Sequence, residues 1–195
     1  LTFGGAFSNH IAATASAGQE LNIPTVGIIR GEELVTQIES NPTLRYAKSC
    51  GMHLEFVSRS SYNKKTDPAY LLQLLETFKD YYILPEGGTN ALAIKGCEEI
   101  LTVKDQSFDI ICCAVGTGGT IAGVINGSLL TQKIIGFPVL KGEFLKEDIC
   151  KFATQSNWEL WGDYHFGGYA KVDSKLIKFM NDFKLIYNIP LDPVY

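Results

Sequence analysis

The sequence predicts an α/β fold of two open, mainly parallel twisted sheets with helices on both faces, and three observations predict it. Short β-rich runs alternate with stretches of helical period along the chain. Three of the strand-to-helix turns are rich in glycine and in small hydroxyl or amide residues. At 195 residues and 46% hydrophobic, the chain carries enough apolar side chain for a sizeable core. Strands alternating with helices imply parallel sheets covered by helices, and such sheets bind ligands beyond the carboxyl ends of their strands.

Each element follows in order. "LTF" reads as the end of a strand, and "NHIAATASAGQELN" as the helix after it. "TVGIIRG", bounded by Pro24 and Gly31, is the next strand and completes a βαβ unit. "NPTLRYAKSCG" is a helix with Asn41 as N-cap, Pro42 at its first position and Gly51 as C-cap, followed by the strand "HLEFVS". "DPAYLLQLLETFKD" repeats the cap-then-proline signal at Asp67 and Pro68 and leads into a predicted strand, "YYILP". Beyond "EGGTN" come helix "ALAIKGCEEILTV", strand "FDIICCAV", loop "GTGGT", helix "IAGVINGSLL", strand "KIIGFPVL" and helix "EFLKEDICKFATQ". "NWELWGDYHFGGYAKVD", aromatic and punctuated by glycine, breaks the rhythm and reads as a site loop before the helix "SKLIKFMNDFKLIYN". The internal boundary is expected near Pro85 to Asn90, giving a smaller α/β domain over 1–85 and part of a larger, ligand-binding domain over 86–195.

A net charge of −4 with scattered basic residues gives no footprint for nucleic acid or an anionic membrane and favours a small-molecule partner. The five cysteines form no C-x-x-C pair and read as buried thiols of a reducing cytoplasm. The longest apolar run, "DIICCAVG", is too short to span a bilayer, and no histidine stands at metal-ligand spacing.

Chemistry centres on the glycine turns. In "AVGTGGTIAGV" a strand runs through Gly116, Thr117, Gly118, Gly119 and Thr120 directly into a helix. Converging backbone N–H groups and the helix dipole there suit a phosphate, against the plainer reading of a tight βα turn. It is not a P-loop, because no G-K-[ST] follows. "GGAFSNH" has the same setting: Ser8 or Asn9 caps the helix, or the helix mouth presents Ser8, Asn9 and His10 to a ligand. In "LPEGGTNAL" the cap is Thr89 or Asn90. His53 reads as structural, and His165 as either core packing or site lining.

"GGAFSNHIAATA", "LPEGGTNALAIKG", "AVGTGGTIAGV", "HFGGYA" and "LDPVY" stand in an order that resembles the 1-aminocyclopropane-1-carboxylate deaminase and D-cysteine desulfhydrase family, within the tryptophan-synthase-β-like (fold type II) pyridoxal-phosphate enzymes. The resemblance covers essentially the whole chain, including the 26-residue step from Tyr169 to Tyr195. It implies pyridoxal 5'-phosphate bound to a lysine, with Gly116, Thr117, Gly118, Gly119 and Thr120 around the phosphate and Asn9 at the ring hydroxyl. It also implies Ser8 at the substrate carboxylate or in proton transfer, and Tyr169 and Tyr195 as site phenols. "SNH" rather than "SNQ" at residues 8–10 makes His10 resemble the desulfhydrase-like branch. The implied reaction is β-elimination from a small D-amino acid such as D-cysteine, giving pyruvate, ammonia and sulfide, with cyclopropane-ring deamination as the alternative. A homodimer is implied by resemblance alone.

The family's lysine lies in a "GNK-x-RK"-like motif upstream of the matched region, so the chain reads as an internal piece, incomplete at both ends and expected to be inactive by itself. Two other readings stand beside the enzyme: a non-catalytic module binding a phosphorylated metabolite, and a purely structural fold in which every glycine turn is only a turn.

Overall fold

The computed structural model describes residues 1–140 and 144–193. The chain divides into two compact units, Leu1–Gly88 and from Thr89 onward, a division after Gly88 where the sequence suggested one after residue 85.

In the first unit β1 (Thr2–Gly4), β2 (Val26–Arg30) and β3 (His53–Val57) form a parallel sheet in the order β1-β2-β3. Helix α1 (Asn9–Leu21) joins β1 to β2, and α2 (Pro42–Ser49) joins β2 to β3. Both pack on one face through Ile11, Ala15, Leu44 and Ala47, against Ile29 and Met52. The two-residue period of β2 sends Val26 and Ile28 to the other face, where Phe3, Tyr62 and Leu74 meet them. Tyr62 and Leu74 come from α3 (Arg59–Tyr62) and α4 (Pro68–Thr77), so helices cover both faces. The sequence-predicted N-caps form as read: the Asn41 side chain accepts from the Leu44 N–H at 2.9 Å, and Asp67 from the Ala69 N–H at 2.9 Å. The C-cap of α2 is Cys50, and Gly51, expected there, follows it at φ +85°.

"YYILP" is the one predicted strand that does not form: residues 81–85 carry no strand ladder. They run beside the start of β1, with the Leu84 N–H donating to the Leu1 carbonyl at 2.8 Å and the Thr2 hydroxyl donating to the Leu84 carbonyl at 3.2 Å. Tyr81 and Ile83 therefore pack on the core without a ladder, while Tyr82 is exposed.

In the second unit β4 (Ile110–Val115), β5 (Lys133–Pro138) and β6 (Trp158–Leu160) make another parallel sheet in the order β4-β5-β6. Strand β6 lies inside the segment read from sequence as irregular; Trp158, Glu159 and Leu160 pair with Ile134, Ile135 and Gly136. Helices α6 (Gly119–Gly127) and α7 (Phe144–Cys150) bury Ile121, Val124, Ile125, Leu145 and Ile149 on one face of the sheet. Helix α5 (Ala91–Cys97) packs on α6, and α8 (Ser174–Tyr187) follows the aromatic segment with no fully buried residue. No helix among the described residues is long and apolar enough to cross a membrane.

The cysteines depart from the expectation of buried thiols. Only Cys50 is buried; Cys97 and Cys113 are half-buried, and Cys112 and Cys150 are exposed. Cys112 lies on the exposed face of the edge strand β4, and Cys97 and Cys150 are the last residues of helices α5 and α7. Burial first, then the Cys97 and Cys112 thiols, push Cys113 up to about 11. At pH 8 only about 0.1% of such a thiol is thiolate. Brief treatment with iodoacetamide at that pH is expected to label Cys112 and Cys150 and spare Cys113 and Cys50, read by peptide mass spectrometry. Labelling of Cys113 as fast as Cys112 would contradict this placement.

Candidate functional site

The two sheets each present glycine-containing turns at the carboxyl ends of their strands.

In the first unit the turn after β1 delivers Ser8, Asn9 and His10. Ser8 is the N-cap of α1, its Oγ accepting from the Ile11 N–H at 3.3 Å, which leaves its own proton free to donate. Asn9 is exposed, and its side chain makes no hydrogen bond among the described residues. Gly4 cannot be larger, since a Cβ there would stand 2.9 Å from Ser8 Oγ. His10 is half-buried and turned inward: its Nε2 lies 2.7 Å from the Thr2 Oγ1, and its ring rests on Gly88. Burial lowers its pKa below the ordinary histidine value, against a smaller upward pull from Glu86, so the ring is neutral at pH 7.

Around these residues lies a charged cluster that sequence patterns did not flag. The Tyr62 hydroxyl donates to Glu86 Oε1 at 2.5 Å, and Lys65 pairs with Glu86 Oε2 at 3.4 Å. The Arg30 guanidinium and the Lys65 ammonium stand 5.7 and 5.1 Å from the Tyr62 ring centroid. These contacts fix the Glu86–Gly88 turn beside His10.

In the second unit Gly116–Thr120 forms the βα turn read from sequence. Gly118 takes φ +90°, where only glycine sits without strain, and no side chain caps α6. A Cβ on Gly118 would be 2.8 Å from Ile149 Cγ1, and one on Gly119 would be 2.8 Å from Thr89 Oγ1. The Thr117 and Thr89 hydroxyls are hydrogen-bonded at 2.8 Å. Asn90, not Thr89, caps α5 by accepting from the Ala93 N–H at 2.9 Å, which frees Thr89 to face the glycine turn. Thr89 is the residue that sequence reading missed as part of the site; its only signal was a second polar residue beside the cap. Thr120 is exposed on the first turn of α6. The turn therefore offers uncapped N–H groups and two hydroxyls with no side chain in the way, which fits a phosphate group.

Tyr169 is half-buried in a loop with unusual backbone: Phe166 (φ 48°), Gly167 (102°), Gly168 (127°) and Ala170 (55°) all lie in left-handed territory. Glycine adopts this backbone freely, so only Phe166 and Ala170 are strained, and strain of this kind persists where the surroundings enforce it. Here His165 enforces it, accepting from the Gly167 N–H on Nδ1 at 2.9 Å. Trp161 and Tyr164 stack at 6.5 Å, and Phe137 meets both edge-to-face at 5.8 and 5.5 Å, which anchors the loop at the end of β5. A cavity of about 200 Å³ opens between Ala114, Phe137, His165, Lys171 and Met180. His165 thus lines this cavity and bonds within its loop, while His53 is exposed beside Glu55. Tyr195 lies outside the described residues.

The chain is 31% identical over its whole length to a protein of Thermotoga maritima provisionally named a 1-aminocyclopropane-1-carboxylate deaminase, of which it covers 68%. It belongs to the 1-aminocyclopropane-1-carboxylate deaminase and D-cysteine desulfhydrase family. A bifunctional D-cysteine desulfhydrase/1-aminocyclopropane-1-carboxylate deaminase of Arabidopsis thaliana is 29% identical over the whole chain, which covers 55% of that protein. The chain therefore spans between 55% and 68% of the length of these curated relatives. A solved pyridoxal 5'-phosphate-dependent aspartate racemase shares the fold, with a TM-score of 0.62 over 98% of this chain and 64% of that one at 14% identity. No family model matches the chain.

Proposed function

We propose that the protein carrying this chain is a pyridoxal-phosphate-dependent lyase of the cytoplasm, acting as a homodimer on a small amino acid. Its preferred reaction is β-elimination from D-cysteine: water is consumed, and pyruvate, ammonia and sulfide are released. The observation that carries the reading is the uncapped Gly116–Thr120 turn, kept open by glycines and lined by the Thr117 and Thr89 hydroxyls. Membership of a family whose relatives are named for these two activities supports the substrate class.

When bound, the cofactor supplies an electron sink for bond cleavage at the substrate α-carbon. The N–H groups of Gly118, Gly119 and Thr120 hold its phosphate dianion, assisted by the α6 dipole and the two threonine hydroxyls. Asn9 holds the ring hydroxyl with its unengaged amide. Ser8, already fixed by Ile11, turns its hydroxyl proton to the substrate carboxylate or passes it on in proton transfer, and His10 contacts the substrate beside it. The Tyr169 and Tyr195 phenols act on the substrate amine or leaving group, given neighbouring positive charge to lower a pKa of about 10.

The full-length protein, supplied with pyridoxal phosphate, is expected to release sulfide and pyruvate from D-cysteine faster than it forms 2-oxobutanoate from 1-aminocyclopropane-1-carboxylate. The reverse preference would make ring deamination its reaction. No turnover of either would overturn the reading.

A further inference from the structure

Thr2 is fully buried on β1 and carries one hydroxyl proton, and three polar atoms surround its oxygen. His10 Nε2 lies at 2.7 Å, the Leu84 carbonyl at 3.2 Å and the Pro85 carbonyl at 3.5 Å. Were the proton given to His10, the Leu84 carbonyl would face the fully buried Thr2 oxygen with no hydrogen between them, whereas the Pro85 carbonyl already accepts from the Gly88 N–H at 2.9 Å. A half-buried acceptor left this way loses a hydrogen bond, whereas the opposite arrangement satisfies the set. In it, His10 donates from Nε2–H to Thr2 Oγ1, and Thr2 donates onward to Leu84.

We infer that Thr2 is a positioning residue that fixes His10 as the Nε2–H tautomer, leaving Nδ1 as an acceptor on the ring edge that lies along Gly88. Any side chain at residue 88 would cover that edge: a Cβ there would come within 2.8 Å of Cε1 and 3.1 Å of Nδ1. Gly88 also sits at φ +70°, so glycine suits the position twice over. Glu86, held by Tyr62 and Lys65, keeps the turn that carries Gly88 in place. The neutral state of the ring agrees with its burial. An imidazole fixed in this way accepts a hydrogen bond from an N–H, O–H or S–H group and has no proton on Nδ1 to give. At that atom it therefore selects a substrate donor over a carboxylate.

This inference rests on the proposed contact of His10 with substrate, and its test separates the two. The full-length protein is labelled with [15N]histidine, and the His10 signals are identified by their loss in His10→Asn. The wild type is expected to show a protonated Nε2 and an unprotonated Nδ1, and Thr2→Ser to show the same. Thr2→Val is expected to mix the tautomers and lower kcat/KM for the preferred substrate roughly tenfold, the scale seen when a histidine's orienting partner is removed. Protonation at Nδ1 in the wild type, or an unmixed tautomer in folded Thr2→Val, overturns the inference. So does a mixed tautomer with unchanged kcat/KM. If Thr2→Val does not fold, the wild-type and Thr2→Ser spectra decide. The expected tautomer in a protein without lyase turnover would overturn the functional reading and leave the Thr2–His10 assignment standing.

Discussion

Gly118→Val in the full-length protein is expected to abolish retention of pyridoxal phosphate through desalting and to lower stability by about 3 kcal/mol. Two independent costs combine. At φ +90° a β-branched residue is held in a region that costs roughly 1–3 kcal/mol. The new Cβ also meets Ile149 Cγ1 at 2.8 Å, and Ile149 is fully buried in the core under the turn, so it has little room to retreat. Relief of either clash moves the N–H groups that open α6, and with them the proposed phosphate cradle. Visible absorbance after desalting reads the first effect and urea unfolding the second. A variant that kept both cofactor and stability would mean that the turn has no tight geometry to protect.

Gly123→Val, a turn further along α6, is expected to destabilise by a similar amount of about 3 kcal/mol while touching nothing that could meet a ligand. A Cβ at Gly123 would stand 2.6 Å from the Ile94 carbonyl oxygen and 2.8 Å from the Cys97 carbonyl carbon. These are backbone atoms of α5, so no rotamer change can absorb the overlap and the helix itself must move. Thr89 stands two residues before α5, and its 2.8 Å hydrogen bond to Thr117 goes with the helix. Cofactor affinity should therefore fall together with stability. Gly96→Ala supplies the contrast on the same helix: nothing lies within 4 Å of its Cβ position, and the change should stabilise by about 0.5–1 kcal/mol. Equal urea midpoints for Gly123→Val and the wild type would overturn the packing account.

Much of this arrangement is local and was therefore legible in the sequence. The caps at Asn41 and Asp67 act on N–H groups two or three residues away, and the alternation of β2 between two cores follows from the strand period alone. The glycines of residues 116–119 announced a strand-to-helix turn, and Gly118 takes the positive φ that few other residues adopt. The order of five motifs pointed to the family for a different reason, as a pattern shared along the whole chain with its relatives.

Tertiary structure decided what depends on partners far along the chain. Residues 81–85 have strand-forming side chains but pack beside β1 without a ladder, and Trp158–Leu160 became a strand because β5 had a free edge. The cysteines of β4 look core-like in sequence and are partly exposed because that strand is an edge. Thr89 and Thr117 are 28 residues apart, and only the close crossing of α5 on the glycines of α6 brings their hydroxyls together. Turns and caps are set by interactions spanning a few residues, so the sequence by itself determined them. Strand edges, burial and the meeting of two loops are set by which surfaces the folded chain brings into contact, and no local pattern encodes that.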